Sequence, residues 1–165
     1  MLSATDAAYE AIWRFIFGID LIGRIEVWRR PPDDALPWML TDWRRLQRST
    51  RDALWLRVVD VPTALEGRRY GREGALTLRI VDDFCPWNDG GYRLEGSPDG
   101  AECRKVDGSP DLVMDARDLG ALYLGGASAG TLARAGRVRE ETAGALRMAD
   151  NLFRAELAPW APFLF

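Results

Sequence analysis

The sequence predicts an α+β domain, a mostly antiparallel sheet with helices on one face. Three observations lead there. Leu54-Trp55-Leu56-Arg57-Val58-Val59 is a near-continuous run of strand-type residues that switches at Asp60-Val61-Pro62 to a capped helical pattern. Short strand-type segments separated by Gly, Pro and Asp turns follow between Ala75 and Met114. Helical spacing then takes over from Asp115 to Glu156. A strand and helix, a meander of strands and a cluster of helices is the order of an α+β fold.

The elements are read in chain order. Ser3 to Phe17 is a helix, with Ser3 and Thr5 as candidate caps, Asp6 and Glu10 at its positive end, and Ala8, Ile12, Phe15 and Ile16 on one face. Gly18 stops it. Ile25 to Trp28 is a short strand, Pro31-Pro32-Asp33-Asp34 interrupts regular structure, and Ala35 to Leu40 holds about one helical turn. Asp42 to Arg48 is basic and exposed. Leu54 to Val59 is the central strand, covered on both faces because its apolar residues do not alternate, and it feeds a helix reaching toward Tyr70. Ala75 to Val81 alternates and is a half-buried strand. Asp82 to Gly91 is a loop, Tyr92 to Glu95 and Ala101 to Val106 pair through the Gly96–Gly100 turn, and Asp111 to Met114 is a further strand. Asp115 caps a helix to Leu124, Ser128 opens one to Ala135, and Thr142 or a neighbour opens one over Ala143 to Glu156.

Composition narrows the chemistry. The chain has 165 residues, 47% hydrophobic and 28% charged, with a net charge of −3 of mixed sign, so it carries no basic patch of the kind that binds nucleic acid. It has no apolar run of membrane-spanning length and no signal-peptide pattern, which makes a cytoplasmic location the expectation. Histidine is absent, which excludes histidine triads and histidine-ligated metals. Cys85 and Cys103 lack metal-ligand spacing and read as small buried residues, a disulfide being the alternative. Of seven tryptophans, Trp13, Trp28, Trp38 and Trp43 fall within the first 43 residues. So short a segment cannot bury that surface alone. It packs on the rest of the chain, or it ends a domain whose other part lies elsewhere.

Few side chains stand out as chemical candidates. Gly90-Gly91 and Gly125-Gly126 lack the strand–glycine–helix setting of a phosphate loop. Asp82-Asp83 and Glu140-Glu141 are adjacent acids of the solvent-facing sort and receive no role. Ser128 has neither an elbow pattern nor a histidine partner. Arg44-Arg45 and Arg68-Arg69 read as solvated surface rather than phosphate ligands. The tail Trp160-Ala161-Pro162-Phe163-Leu164-Phe165 differs from an ordinary polar chain end. It docks as packing, and docking can also hold the terminal carboxylate, ordinarily near pKa ~3.5, in a fixed and partly desolvated place.

Four stretches, AIWRFIFGID (Ala11–Asp20), RRPPDDALPWML (Arg29–Leu40), LWLRVVDVPTALEGRRY (Leu54–Tyr70) and the terminal APWAPFLF, resemble in order and spacing the C-terminal portion of the enhanced-intracellular-survival (Eis) type of acetyltransferases. The resemblance implies an organisation. Residues 1–45 are the end of a central GNAT-like domain, and 46–165 are a sterol-carrier-protein-like domain. The catalytic GNAT domain that binds acetyl-CoA lies upstream, so acetyl-CoA has no site in this chain and the chain alone is inactive. It further implies an amine substrate, a pocket wall that includes Trp55 and Arg57, the terminal carboxylate of Phe165 as base, no metal, no membrane or nucleic-acid partner, and a homo-oligomer, hexameric in the family. For Trp55 the plain alternative is a core side chain. For the whole chain it is a sterol-carrier-like module holding lipid or another apolar ligand between sheet and helices.

Overall fold

The computed structural model describes residues 3–163. The chain opens with α1 (Asp6–Phe17), capped by Thr5, whose hydroxyl accepts from the Ala8 N–H at 3.1 Å. Trp13 is the side chain of α1 that is buried, 1% exposed and stacked on Phe17. Phe15 on the same helix faces solvent. A loop folds back to α2 (Leu36–Met39), and Asp34 ties the two together. Its carboxylate accepts from the Tyr9 hydroxyl, the Arg30 guanidinium and the Leu36 N–H. Burial alone would push the Asp34 carboxyl up, but these donors hold it below the usual carboxylate range. A 3₁₀ turn at Trp43–Arg45 follows, with its arginines exposed as expected. The expected strand at Ile25–Trp28 is not formed. Those residues are irregular and exposed, and among the described residues no strand pairs with them.

Leu54–Val59, the expected central strand, is irregular, with a bend at Val59, and joins no sheet. The helix after it is real: α3 (Val61–Glu66) starts at Asp60, whose carboxylate accepts from Thr63 N–H at 2.8 Å, and it ends at Gly67, short of Tyr70. The centre of the sheet is the next segment, β1 (Gly74–Val81). It pairs antiparallel with β2 (Gly90–Gly96), and β2 with β3 (Ala101–Lys105). On the other side β4 (Leu112–Asp115) runs parallel to β1. Then come α4 (Ala116–Tyr123), capped by Asp115, and α5 (Ala129–Arg134), capped by Ser128. β5 (Val138–Glu140) closes the sheet against β4, giving the order β3-β2-β1-β4-β5, and α6 (Ala145–Phe153) ends the domain.

Strand alternation decides which face is core. Leu76, Leu78 and Ile80 of β1, Tyr92 and Leu94 of β2, Leu112 and Met114 of β4 and Val138 of β5 are buried and meet Leu119 and Leu122 of α4 and Ala149, Leu152 and Phe153 of α6. The opposite face carries Thr77, Arg79, Arg93, Glu95, Glu102 and Arg104, half-buried or exposed. β3, an outer strand, is shielded on its free side: Cys103 N–H donates to the Glu66 carboxylate of α3 at 3.0 Å. Cys85 and Cys103 are both free and buried, and burial pushes the Cys103 thiol up to about 12.

Two charged residues given no role in the sequence hold the helical layer. Glu140, not Thr142, caps α6: its carboxylate accepts from Gly144 and Leu146 N–H, each at 3.0 Å, where Gly144 (φ +92°) turns the chain. Arg68 is not solvated. Its guanidinium lies over the rings of Tyr70, Tyr123 and Phe153 and donates to the Tyr123 and Phe153 carbonyls, at the C-terminal ends of α4 and α6. Burial lowers its pKa below the ordinary guanidinium value.

Candidate functional site

The Leu54–Val59 segment is held by side chains rather than by strands. Asn88, buried beneath it, donates from Nδ2 to the Val58 carbonyl at 3.3 Å and accepts at Oδ1 from the Val61 N–H at 3.2 Å. Trp87 Nε1 donates to the Val59 carbonyl at 2.8 Å. Val58 is buried, and Leu56 packs against the core. On its far side the segment crosses α4 so closely that a Cβ on Gly120 would lie 2.8 Å from the Leu56 carbonyl oxygen. These partners explain why an apolar run makes no strand: side chains already take the Val58 and Val59 carbonyls, and Leu54, Trp55, Arg57 and Val59 face out.

Asp82 organises the loop that does the holding. It is 4% exposed, so the expectation of a solvent-facing acid fails. Its Oδ1 accepts from Cys85 N–H at 2.9 Å, from Phe84 N–H at 3.1 Å and from the Arg57 guanidinium; its Oδ2 accepts from Asn88 Nδ2 at 3.2 Å. Burial pushes the Asp82 carboxyl up, but the Cys85 N–H, the Asn88 amide, the Phe84 N–H and Arg57 together hold it below the usual range. Arg57 lies over the Phe84 ring at 4.9 Å, and Lys105 Nζ donates to the Trp87 carbonyl at 2.7 Å. The two joined segments together expose three large aromatic side chains, the aromatic ledge. Trp55 is 84% exposed, Phe84 77% and Trp87 58%.

Of the residues singled out in the sequence, Trp55 lies on this ledge and Arg57 is its electrostatic anchor. They sit on one irregular segment, not on a common strand face. Phe165 lies outside the described residues. The tail leading to it is docked: Ala158 to Pro162 are half-buried, and the Ala158 N–H donates to the Asp33 carboxylate at 2.8 Å. On the way the tail crosses Gly125 (φ +78°), where a Cβ would collide with the Phe153 carbonyl and the Ala155 N–H. Asp82, Phe84, Trp87 and Asn88 escaped the sequence reading because Asp82-Asp83 resembles surface acid and Pro86-Trp87-Asn88-Asp89-Gly90 resembles an ordinary turn. A Trp and an Asn side by side in a turn after an alternating strand was the usable signal.

Two surface clefts lie elsewhere. One, of about 550 Å³, is lined by Gly125, Ser128, Thr131, Asp150 and Arg154 among others. The other, of about 450 Å³, runs along β4 and β5 past Asp115, Arg137 and Arg139. Beside it Asp118 is buried, with Arg137 2.6 Å from its Oδ1 but not aligned for a hydrogen bond, and burial raises its pKa. Among the described residues no group of His, Cys, Asp or Glu is placed to hold a metal ion, and no helix is long and apolar enough to cross a membrane. α1 and α4 carry Asp6 and Asp118 in their first turns, α4 is capped by Asp115, and the starts of α5 and α6 are occupied by the carboxylates of Asp150 and Glu140. An anion there would meet like charge.

Residues 61–162 match the family model described as a sterol carrier protein domain, and residues 1–58 match that of an acetyltransferase (GNAT) domain. The chain belongs to the sterol carrier protein domain family, whose model covers more than half of it, and along its length it is similar to part of the Eis-type N-acetyltransferases. It is 44% identical, over 99% of its length, to an uncharacterized N-acetyltransferase of Streptomyces coelicolor, and 37% identical, again over 99%, to N-acetyltransferase Eis of Mycobacterium tuberculosis; it spans 40% of each. The crystal structure of Eis1 from Mycobacterium abscessus superposes with a TM-score of 0.85 at 36% identity, covering 99% of this chain and 41% of that one.

Proposed function

We propose that this chain is the C-terminal portion of an acetyl-CoA-dependent N-acetyltransferase acting on amines, that it supplies part of the amine pocket and the base, and that by itself it does not transfer acetyl groups. The observation that carries this reading is the aromatic ledge on the Arg57–Asp82 clasp, in a chain that aligns from end to end with 40% of an N-acetyltransferase. Trp55 and Arg57 are assigned to the pocket wall, and the terminal carboxylate of Phe165 to the base. Acetyl-CoA is assigned to the rest of the enzyme, and the assembly is assigned as homo-oligomeric.

The chemistry asks little of this chain, but what it asks is specific. An amine attacks a thioester only when it is neutral, so an acceptor must remove its proton. The chain has no histidine, so a carboxylate is the natural acceptor. A terminal carboxylate suits the task if the tail is ordered, and Pro159, Pro162 and the Ala158–Asp33 hydrogen bond reduce the freedom lost on ordering it.

The test needs a protein in which a complete GNAT domain precedes this chain. Two glycines added after Phe165 move the carboxylate and keep every side chain, whereas Phe165→Ala keeps the carboxylate and loosens its anchor. The extension is expected to lower kcat by about 100-fold or more at unchanged Tm, with a smaller loss for Phe165→Ala. A normal rate in the extended enzyme would reduce the tail to packing. The reading as a lipid-holding module has less support. The apolar faces of α4 and α6 close on the sheet, with Leu119, Leu122 and Leu152 fully buried.

A further inference from the structure

The open face of the sheet carries an unusual arrangement of charge. Along the row Thr77–Arg93–Arg104, the register sets Arg93 directly opposite Arg104. In the next row, Ala75–Glu95–Glu102, it sets Glu95 directly opposite Glu102. Like charges facing each other across a strand pair destabilise a sheet. Exchanging Glu102 with Arg104 would turn both rows into opposite-charge pairs. The chain instead keeps one row of arginines and one of glutamates, two residues apart on the same face. Glu95, Glu102 and Arg104 are exposed, Arg93 is half-buried, and Ala75 and Thr77 beside them are small enough to allow close approach. Within the chain the charge is only partly relieved, by Arg93 Nε to Glu95 at 3.3 Å.

A nucleic acid or acidic peptide laid on this face would meet the glutamate row, and a basic one would meet the arginine row. The surface that matches is one with the same two rows in reverse order. A two-fold axis lying in the interface, parallel to the rows and midway between them, generates that surface from this chain. It brings each arginine row over the partner's glutamate row with β2 over β2 and β3 over β3, an isologous contact. We propose that the open sheet face, centred on Arg93, Glu95, Glu102 and Arg104, is a face-to-face docking surface for a second copy of this chain. The two members of each row repel one another within one copy, and across two copies each row faces a row of opposite charge. The contact is polar and sensitive to salt, because its charges are exposed until they dock.

The test is sedimentation velocity on the 165-residue chain, with circular dichroism to check folding. The wild-type dimer is expected to weaken at least about tenfold between about 50 and 500 mM salt. Arg93→Glu with Arg104→Glu gives one all-acidic variant, and Glu95→Arg with Glu102→Arg gives an all-basic one. Each alone is expected to lose at least about tenfold in self-association, and an equimolar mixture to recover it as a heterodimer. A fourfold variant that exchanges the rows keeps the composition and serves if either double variant misfolds. It is expected to pair with itself as the wild type does and to reject the wild type, since like rows would then meet. A wild type that is monomeric at low salt, or variants that associate as the wild type does and mix with it freely, would overturn the proposal and leave the face an ordinary solvated surface.

Discussion

Asp82 shows how one carboxylate can substitute for missing secondary structure. It satisfies two backbone N–H groups, an amide and a guanidinium, and thereby fixes both the 82–89 loop and the Leu54–Val59 segment. Asp82→Ala leaves the Phe84 and Cys85 N–H groups without their acceptor and is expected to cost on the order of 2 kcal/mol in chemical denaturation. The pH dependence has a defined sign. The folded-state pKa of Asp82 is depressed, so its contribution is complete above the unfolded-chain value of about 3.9 and is lost as pH falls through the folded value. Asp118 runs the other way, because burial raises its pKa. Its contribution is present below about 3.9 and is lost as pH rises through the raised folded value. Denaturation curves of Asp82→Asn and Asp118→Asn, each subtracted from wild type across the acid range, are therefore expected to slope in opposite directions. Parallel slopes would mean that one of the two environments is misassigned.

At the scale of elements, the informative residue is Gly120. A glycine inside an eight-residue helix loses helix propensity relative to alanine, and here the reason is visible: the Leu56 carbonyl needs the space. Gly120→Ala should raise the intrinsic helicity of α4 yet lower Tm, because the added methyl pushes Leu54–Val59 off the helix. Hydrogen exchange at Val61 N–H, which bonds Asn88, would report the displacement. A stabilised variant would show that the segment yields without cost. The sequence made the helices and the meander legible because their signals are local: Asp60, Asp115 and Ser128 as caps, alternation in Ala75–Val81, glycines at the turns. It did not reveal that β1, rather than Leu54–Val59, is central, because that depends on where β4 returns, parallel and on the far side. It did not reveal β5, since Val138-Arg139-Glu140 has too few residues to show a period. The ledge stayed hidden for the same reason, as Asp82 and Asn88 become buried only when the loop folds over a segment more than twenty residues earlier.

At the scale of the molecule, two kinds of surface lie side by side. The domain from α3 onward buries its apolar residues in one core, whereas the first segment and the ledge leave large ones in water: Phe15, Leu21, Trp28, Trp38, Trp55 and Phe84. These exposed side chains lie in the stretch that matches an acetyltransferase domain, residues 1–58, and on the loop that bonds Val58 and Val59. The polar sheet face is the opposite case, a surface patterned by charge rather than by hydrophobicity. The two are expected to respond oppositely to salt, association through the apolar surface strengthening and association through the charged rows weakening.

The distribution of tryptophans has an optical consequence. Trp13 alone among the first six indoles is sealed from water; Trp28, Trp38, Trp43, Trp55 and Trp87 look out into it. The emission of the native chain should therefore be red for a folded protein, and unfolding should shift it little. Any macromolecule or ligand that covers the ledge or the first segment would drive the emission to the blue. The chain carries its own fluorescent reporter on the surfaces where contact is expected, and a titration followed at the emission maximum reads that contact without a label.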